Sequence, residues 1–162
     1  MNLSKEDIVI LQKIQESNDR MEEFFEKNRT EWIERVDPLF KCIINFRKET
    51  FQNIIESQST ALSYREMIND QISMFLSKRS KETVKIKNLK EDKFVYFSTS
   101  FQIKATGGQM NLLIDSRLGE NERTMELIES YIEFLRETVK SLDNFQWTIK
   151  NIISLMEYMG SK

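Results

Sequence analysis

Apolar residues recur every three or four positions over most of this chain, and every second position over one stretch in its middle. Leu11, Ile14, Met21, Phe25 and Trp32 fall on a 3-4 repeat, which predicts a helix over residues 4–36. Ser4 is placed to cap it, and Asp7 favours the positive end of the helix dipole. Asn18 and Asn28 take the missing positions of that repeat. A buried Asn in a helical seam fixes register and oligomer state; on the other reading both side chains simply face water. Asp37-Pro38 then supplies a cap and a residue preset for a first helical turn, so a joint is expected there. A second helix follows over 38–80, with Ile43, Phe46, Ile54, Ala61, Tyr64, Ile68, Ile72 and Phe75 on one side. Its stretch 52–63 is rich in Ser, Gln and Asn, where a break or bend would fall.

The period then changes. Thr83-Val84-Lys85-Ile86-Lys87 alternates, as does the aromatic run from Phe94 to Lys104, and Met110, Leu112 and Ile114 continue the pattern. Period two with β-branched and aromatic residues predicts strands. Gly107-Gly108 between them suits a turn. The expectation is a small antiparallel meander over 83–116, with strands at 83–89, 93–105 and 109–116. Gly119 closes it, and a last helix runs over 120–159. Met125, Ile128, Ile132, Leu135, Val139 and Leu142 step along this helix by 3 and 4. Phe145 comes one residue early, a stammer that overwinds a coiled coil locally. Ile149, Ile152, Met156 and Met159 then resume the repeat. So long a seam needs a partner helix, from this chain or another, and Ile128, Ile132, Leu135, Val139, Leu142, Ile149, Ile152 and Met156 are its candidate contact residues. The fold class expected is mainly α with a small β-meander, one domain of 162 residues whose long helices form a coiled-coil-like bundle.

Composition removes most chemistry. With no His and a lone Cys42, neither a zinc site nor a His-based catalytic set can be built, and an internal disulfide is impossible. The four glycines match no phosphate-binding or dinucleotide-binding spacing. No enzymatic activity, cofactor or metal is expected. No run of about 18 apolar residues occurs and the N-terminus is polar, so no membrane contact is expected and a cytoplasmic location is. Cys42 lies between apolar neighbours and reads as an inert buried thiol. Glu126, Glu129, Glu133 and Glu137 read as a solvated helix face.

Charge adds one positive signal. The net charge of −2 divides unevenly, and residues 78–104 carry eight basic and three acidic side chains. Lys78, Arg79, Lys81, Lys85, Lys87, Lys90, Lys93 and Lys104 interleave there with Phe94, Tyr96, Phe97 and Phe101. Single-stranded nucleic acid is bound by this mixture, because lysines follow the phosphates and aromatic faces stack on unpaired bases. On a strand, Lys85 and Lys87 would project from one face. The competing reading is a solvated strand edge whose lysines deter aggregation.

The C-terminal third resembles a known family. Leu112-Leu113-Ile114-Asp115, the long helix, Trp147 before Ile149-Lys150-Asn151-Ile152, and Tyr158 with Gly160 resemble the end of the UvsY-type recombination mediators of T-even-like bacteriophages. Lys85-Ile86-Lys87-Asn88-Leu89 with Tyr96-Phe97-Ser98 is the nearest counterpart of that family's DNA-contacting stretch. The resemblance implies a homo-oligomer in the host cytoplasm that binds single-stranded DNA. It would load a RecA-type recombinase and displace a single-strand-binding protein. A second resemblance is to prefoldin subunits, in the plan helix, small hairpin region, helix, with Phe134-Leu135-Arg136-Glu137 following Val95-Tyr96. It implies a chaperone-type or assembly subunit with no nucleic-acid binding.

Overall fold

The computed structural model describes residues 5–99 and 107–160, and every one of them outside 45–50 is helical. The elements are α1 (Lys5–Ile44), α2 (Phe51–Thr99) and α3 (Gly107–Gly160). Contacts divide the chain into two compact units. The first takes α1 as far as Phe24, α2 from Phe75 and α3 as far as Tyr131. The second takes Phe25–Met74 and everything from Ile132. Among the described residues no helix is long and apolar enough to cross a membrane.

The second unit is built on apolar seams. α1 buries Phe25, Trp32, Val36, Leu39 and Cys42. α2 buries Ile54, Ala61 and Ile68, and α3 buries Ile132, Leu135, Leu142, Phe145, Ile149 and Ile152. Trp32 meets Tyr64 edge to face at 5.8 Å, and Phe40 meets Phe145 at 5.6 Å. Fully burying a side chain of this size contributes about 1.5–3 kcal/mol. The Trp32 indole N–H is not stranded, since it donates to Gln71 Oε1 at 3.2 Å. Gln146 Nε2 donates to the Gln58 carbonyl at 2.8 Å, and Arg65 pairs with Asp143 at 2.7 Å.

The first unit is joined by both apolar and polar contacts. Ile114 and Leu118 of α3 pack with half-buried Ile86 and Leu89 of α2. Phase is held by a polar layer. Asn18, only 1% exposed, donates from Nδ2 to the Glu120 carbonyl at 2.8 Å and to Glu120 Oε2 at 3.1 Å. Its Oδ1 accepts from the Thr124 hydroxyl at 2.7 Å. Asn18 is therefore a buried seam residue, whereas Asn28 is half-buried. Phe75 and Tyr131 close the unit edge to face at 5.1 Å.

Three sequence expectations are corrected. The meander over 83–116 is absent, because 83–99 belongs to α2 and 107–116 to α3. Ile86 and Leu89 explain why. A strand would send these residues, three apart, to opposite faces, whereas a helix sends both to Ile114 and Leu118. Propensity differences of well under 1 kcal/mol per residue do not outweigh that burial. Residues 100–105 of the expected second strand, like the Ser4 cap, lie outside the described residues. Second, α1 runs through Pro38 to Ile44. Proline inside a helix costs roughly 3 kcal/mol, but Trp32, Val36, Leu39 and Cys42 are buried on both sides of it. The helix joint falls at 45–50, where Thr50 Oγ1 caps α2 by accepting from the Asn53 amide at 3.2 Å. From there α2 runs unbroken through 52–63. Third, Gly107 and Gly108 open α3 rather than forming a hairpin turn, and Gly119 lies inside α3.

Gly119 is exposed, has no positive φ, and an added Cβ would meet nothing within 4 Å. Gly119→Ala should therefore raise unfolding stability by about 0.5–1 kcal/mol, measured by urea denaturation, through restricting the unfolded chain and restoring helix propensity.

Candidate nucleic-acid interface

All the described members of the basic window, Lys78 to Lys93, stand on one helix, α2, in the first unit. A helix distributes them differently from a strand. At 100° per residue, Lys78, Lys81 and Lys85 share a face, while Lys85 and Lys87 point about 200° apart. The expected pairing of Lys85 with Lys87 on one face is thus overturned by the helical backbone. Tyr96 is 54% exposed near the end of α2, and Lys93 is half-buried. Lys104 lies outside the described residues.

The cations then separate by their partners. Arg79 Nε lies 3.1 Å from Glu129, and Lys87 Nζ lies 3.9 Å from Glu91. Lys90 Nζ sits between two α3 carboxylates, 3.2 Å from Asp115 and 3.2 Å from Glu122. Those two hydrogen bonds, that to Glu122 first, hold the Lys90 ammonium above its ordinary pKa. Arg123 of α3 is held likewise, first by its hydrogen bond to Glu22, with Asp19 and Glu120 adding.

The other face is less neutralised. Lys78 and Lys85 of α2 and Lys13 of α1 line a groove of about 280 Å³ with Ile10, Ile14, Met21 and Glu82. Lys85 is 3.2 Å from Glu82. Lys78 Nζ rests 3.9 Å from Met21 Sδ. Among the described residues, Lys13, Lys78 and Lys81 have no carboxylate within ion-pair distance. The basic, solvent-facing surface is therefore Lys13, Lys78, Lys81 and the half-neutralised Lys85. Sequence inspection of one basic window missed Lys13, which lies in an acidic segment. The signal is its place beside Ile14 on the α1 repeat, which sets it at the edge of the helix contact.

The α3 seam residues are placed inside the chain. Ile128, Ile132, Leu135, Leu142, Ile149 and Ile152 are buried, and Val139 and Met156 are half-buried. Tyr131, Asn121 and Thr124 are buried as well and were not singled out. Stepping back from Ile128 through Thr124, Asn121, Leu118 and Ile114 keeps the 3-4 spacing, a sign that α3 continues across Gly119. The Glu126, Glu129, Glu133 and Glu137 face is exposed, and Cys42 is a buried free thiol. Comparison of the chain with protein-family models, characterised proteins and solved structures finds no match.

The Lys90 clamp has a definite pH signature. Its folded-state pKa is raised, so its contribution is present below the unfolded value near 10.4 and is lost as pH rises through the folded one. With 42% of the side chain exposed, the contribution is at most about 1 kcal/mol. Lys90→Met should lower stability by that amount at pH 9 and low salt, and the difference from wild type should shrink at a pH raised through the folded value. Paired urea titrations at the two pH values measure it.

Proposed function

We propose that this chain is a non-enzymatic, oligomeric single-stranded-DNA-binding protein that acts as a recombination mediator, loading a RecA-type recombinase. The observation that carries the DNA-binding part is the cationic face of α2. Lys78 and Lys81, with Lys13 from α1, stand on the surface without a carboxylate partner among the described residues. Such lysines meet phosphates without first giving up an ion pair, unlike Arg79 and Lys90. Tyr96 adds an exposed ring on the same helix, the kind of surface on which an unpaired base stacks. The mediator part rests on the resemblance of residues 110–162 to the UvsY-type family. A handful of weak phosphate contacts per protomer becomes firm attachment when several protomers engage one strand. Displacement of a single-strand-binding protein would then follow from competition for the same strand.

A second reading, a helical assembly subunit without nucleic acid, is favoured by the apolar side chains that the second unit leaves exposed. Phe51, Ile55 and Leu62 share a face of α2, and Trp147 and Leu155 are exposed on α3. The strand-mediated assembly implied by the prefoldin resemblance has no counterpart among the described residues.

Fluorescence anisotropy with a labelled oligothymidine separates the two. Binding at about 50 mM salt should weaken steeply by about 200 mM, as counterion release requires. The double variant Lys78→Glu/Lys81→Glu should lose roughly tenfold or more in affinity, while Lys87→Glu, on the far side of α2, should change it less than about threefold. Absence of binding at low salt would leave the assembly reading.

A further inference from the structure

The two parts of α1 are held by different physics. Over 8–24, all of them described, the helix buries one side chain, the polar Asn18, whereas over 25–42 it buries Phe25, Trp32, Val36, Leu39 and Cys42. All three buried polar side chains, Asn18, Asn121 and Thr124, lie in the first.

Ion pairs between helices are divided the opposite way. In the first unit Arg79 ties α2 to α3 through Glu129, and Lys90 does so through Asp115 and Glu122. Arg123 ties α3 to α1, at 3.1 Å from Asp19 and 2.7 Å from Glu22. In the second unit the described pairs between helices reduce to Arg65 with Asp143. Each of the three cations in the first unit is at least 36% exposed, so mobile ions reach these pairs. Screening lengths fall from above 10 Å below 0.1 M salt to about 3 Å at 1 M. Apolar burial is not weakened in this way.

We infer that the first unit is a salt-released clasp: α1 up to Phe24 comes away from α2 and α3 while the apolar second unit stays folded. Proteins open in such cooperative sub-units, the least apolar first. The opening requires no ligand. It separates Lys13 from Lys78 and Lys85 and exposes the Asn18–Thr124 layer, so ionic strength sets how much of the lysine groove is assembled.

Hydrogen exchange followed by mass spectrometry on the full chain tests this. At about 0.05 M salt, backbone amides of 8–24, the first set, should exchange faster than those of 25–42, 54–74 and 132–152, the second. Raising salt to about 1 M should speed the first set roughly tenfold and change the second less than about twofold. Arg123→Gln should speed the first set at low salt and remove most of its salt response. Equal exchange in the two sets, or a first set that salt slows or leaves unchanged, overturns the proposal. So does an Arg123→Gln protein that keeps the full salt response. Should that variant not fold, the salt response of the native chain decides alone.

Discussion

The apolar seam of α3 is the constraint on which the structure depends. From Ile114 to Ile152 it presents a buried or half-buried position every three or four residues, polar at Asn121 and Thr124 and apolar elsewhere. A helix with such a seam must be covered along its length, and only helices match its spacing. α1 and α2 do so, which is why α1 continues through Pro38 and α2 through its polar stretch at 52–63. Local signals for a joint or a break are weak against the loss of a buried Val36, Leu39 or Ile54. The Phe145 step of three is absorbed without interrupting α3, with Phe145 buried against Phe40.

How much of this was legible in the sequence follows from the strength of each pattern. The α3 repeat is long and regular, and its positions from Ile128 to Ile152 are those that the structure buries or half-buries. The segment 83–99 misled because five alternating residues fit a strand and a helix equally well. The deciding contact, Ile86 and Leu89 with Ile114 and Leu118, joins positions far apart in sequence. Glycines misled for a related reason. Gly107, Gly108 and Gly119 are common turn residues, yet none has a positive φ here, and α3 tolerates all three. Asn18 takes the buried one of the two readings its repeat position leaves open, and its partners Glu120 and Thr124 are over one hundred residues away and invisible to local periodicity.

The basic window illustrates how backbone geometry rewrites a charge pattern. Counted along the chain, eight cations in 27 residues form one cluster. Wound into a helix beside an acidic neighbour, they separate. Arg79 and Lys90 face α3 carboxylates and hold the first unit together, while Lys78 and Lys81 face water and are joined by Lys13. The same segment thus supplies ion pairs between helices on one side and exposed lysines on the other. For Lys85, Lys87 and Lys90 that division follows from 83–99 being helical.

The distance across that segment tests the account most directly. Spin labels at Val84 and Ser98, both exposed, can be placed in a Cys42→Ser background and measured by pulsed dipolar spectroscopy. One helix through both sites puts their Cα atoms about 21 Å apart, at 1.5 Å per residue. The antiparallel strands that the alternation suggests would pair them across a ladder at about 5 Å. A distribution centred near 21 Å, broadened by the label arms, is the predicted result. One confined to the shortest distances would contradict the helix and, with it, the division of the lysines.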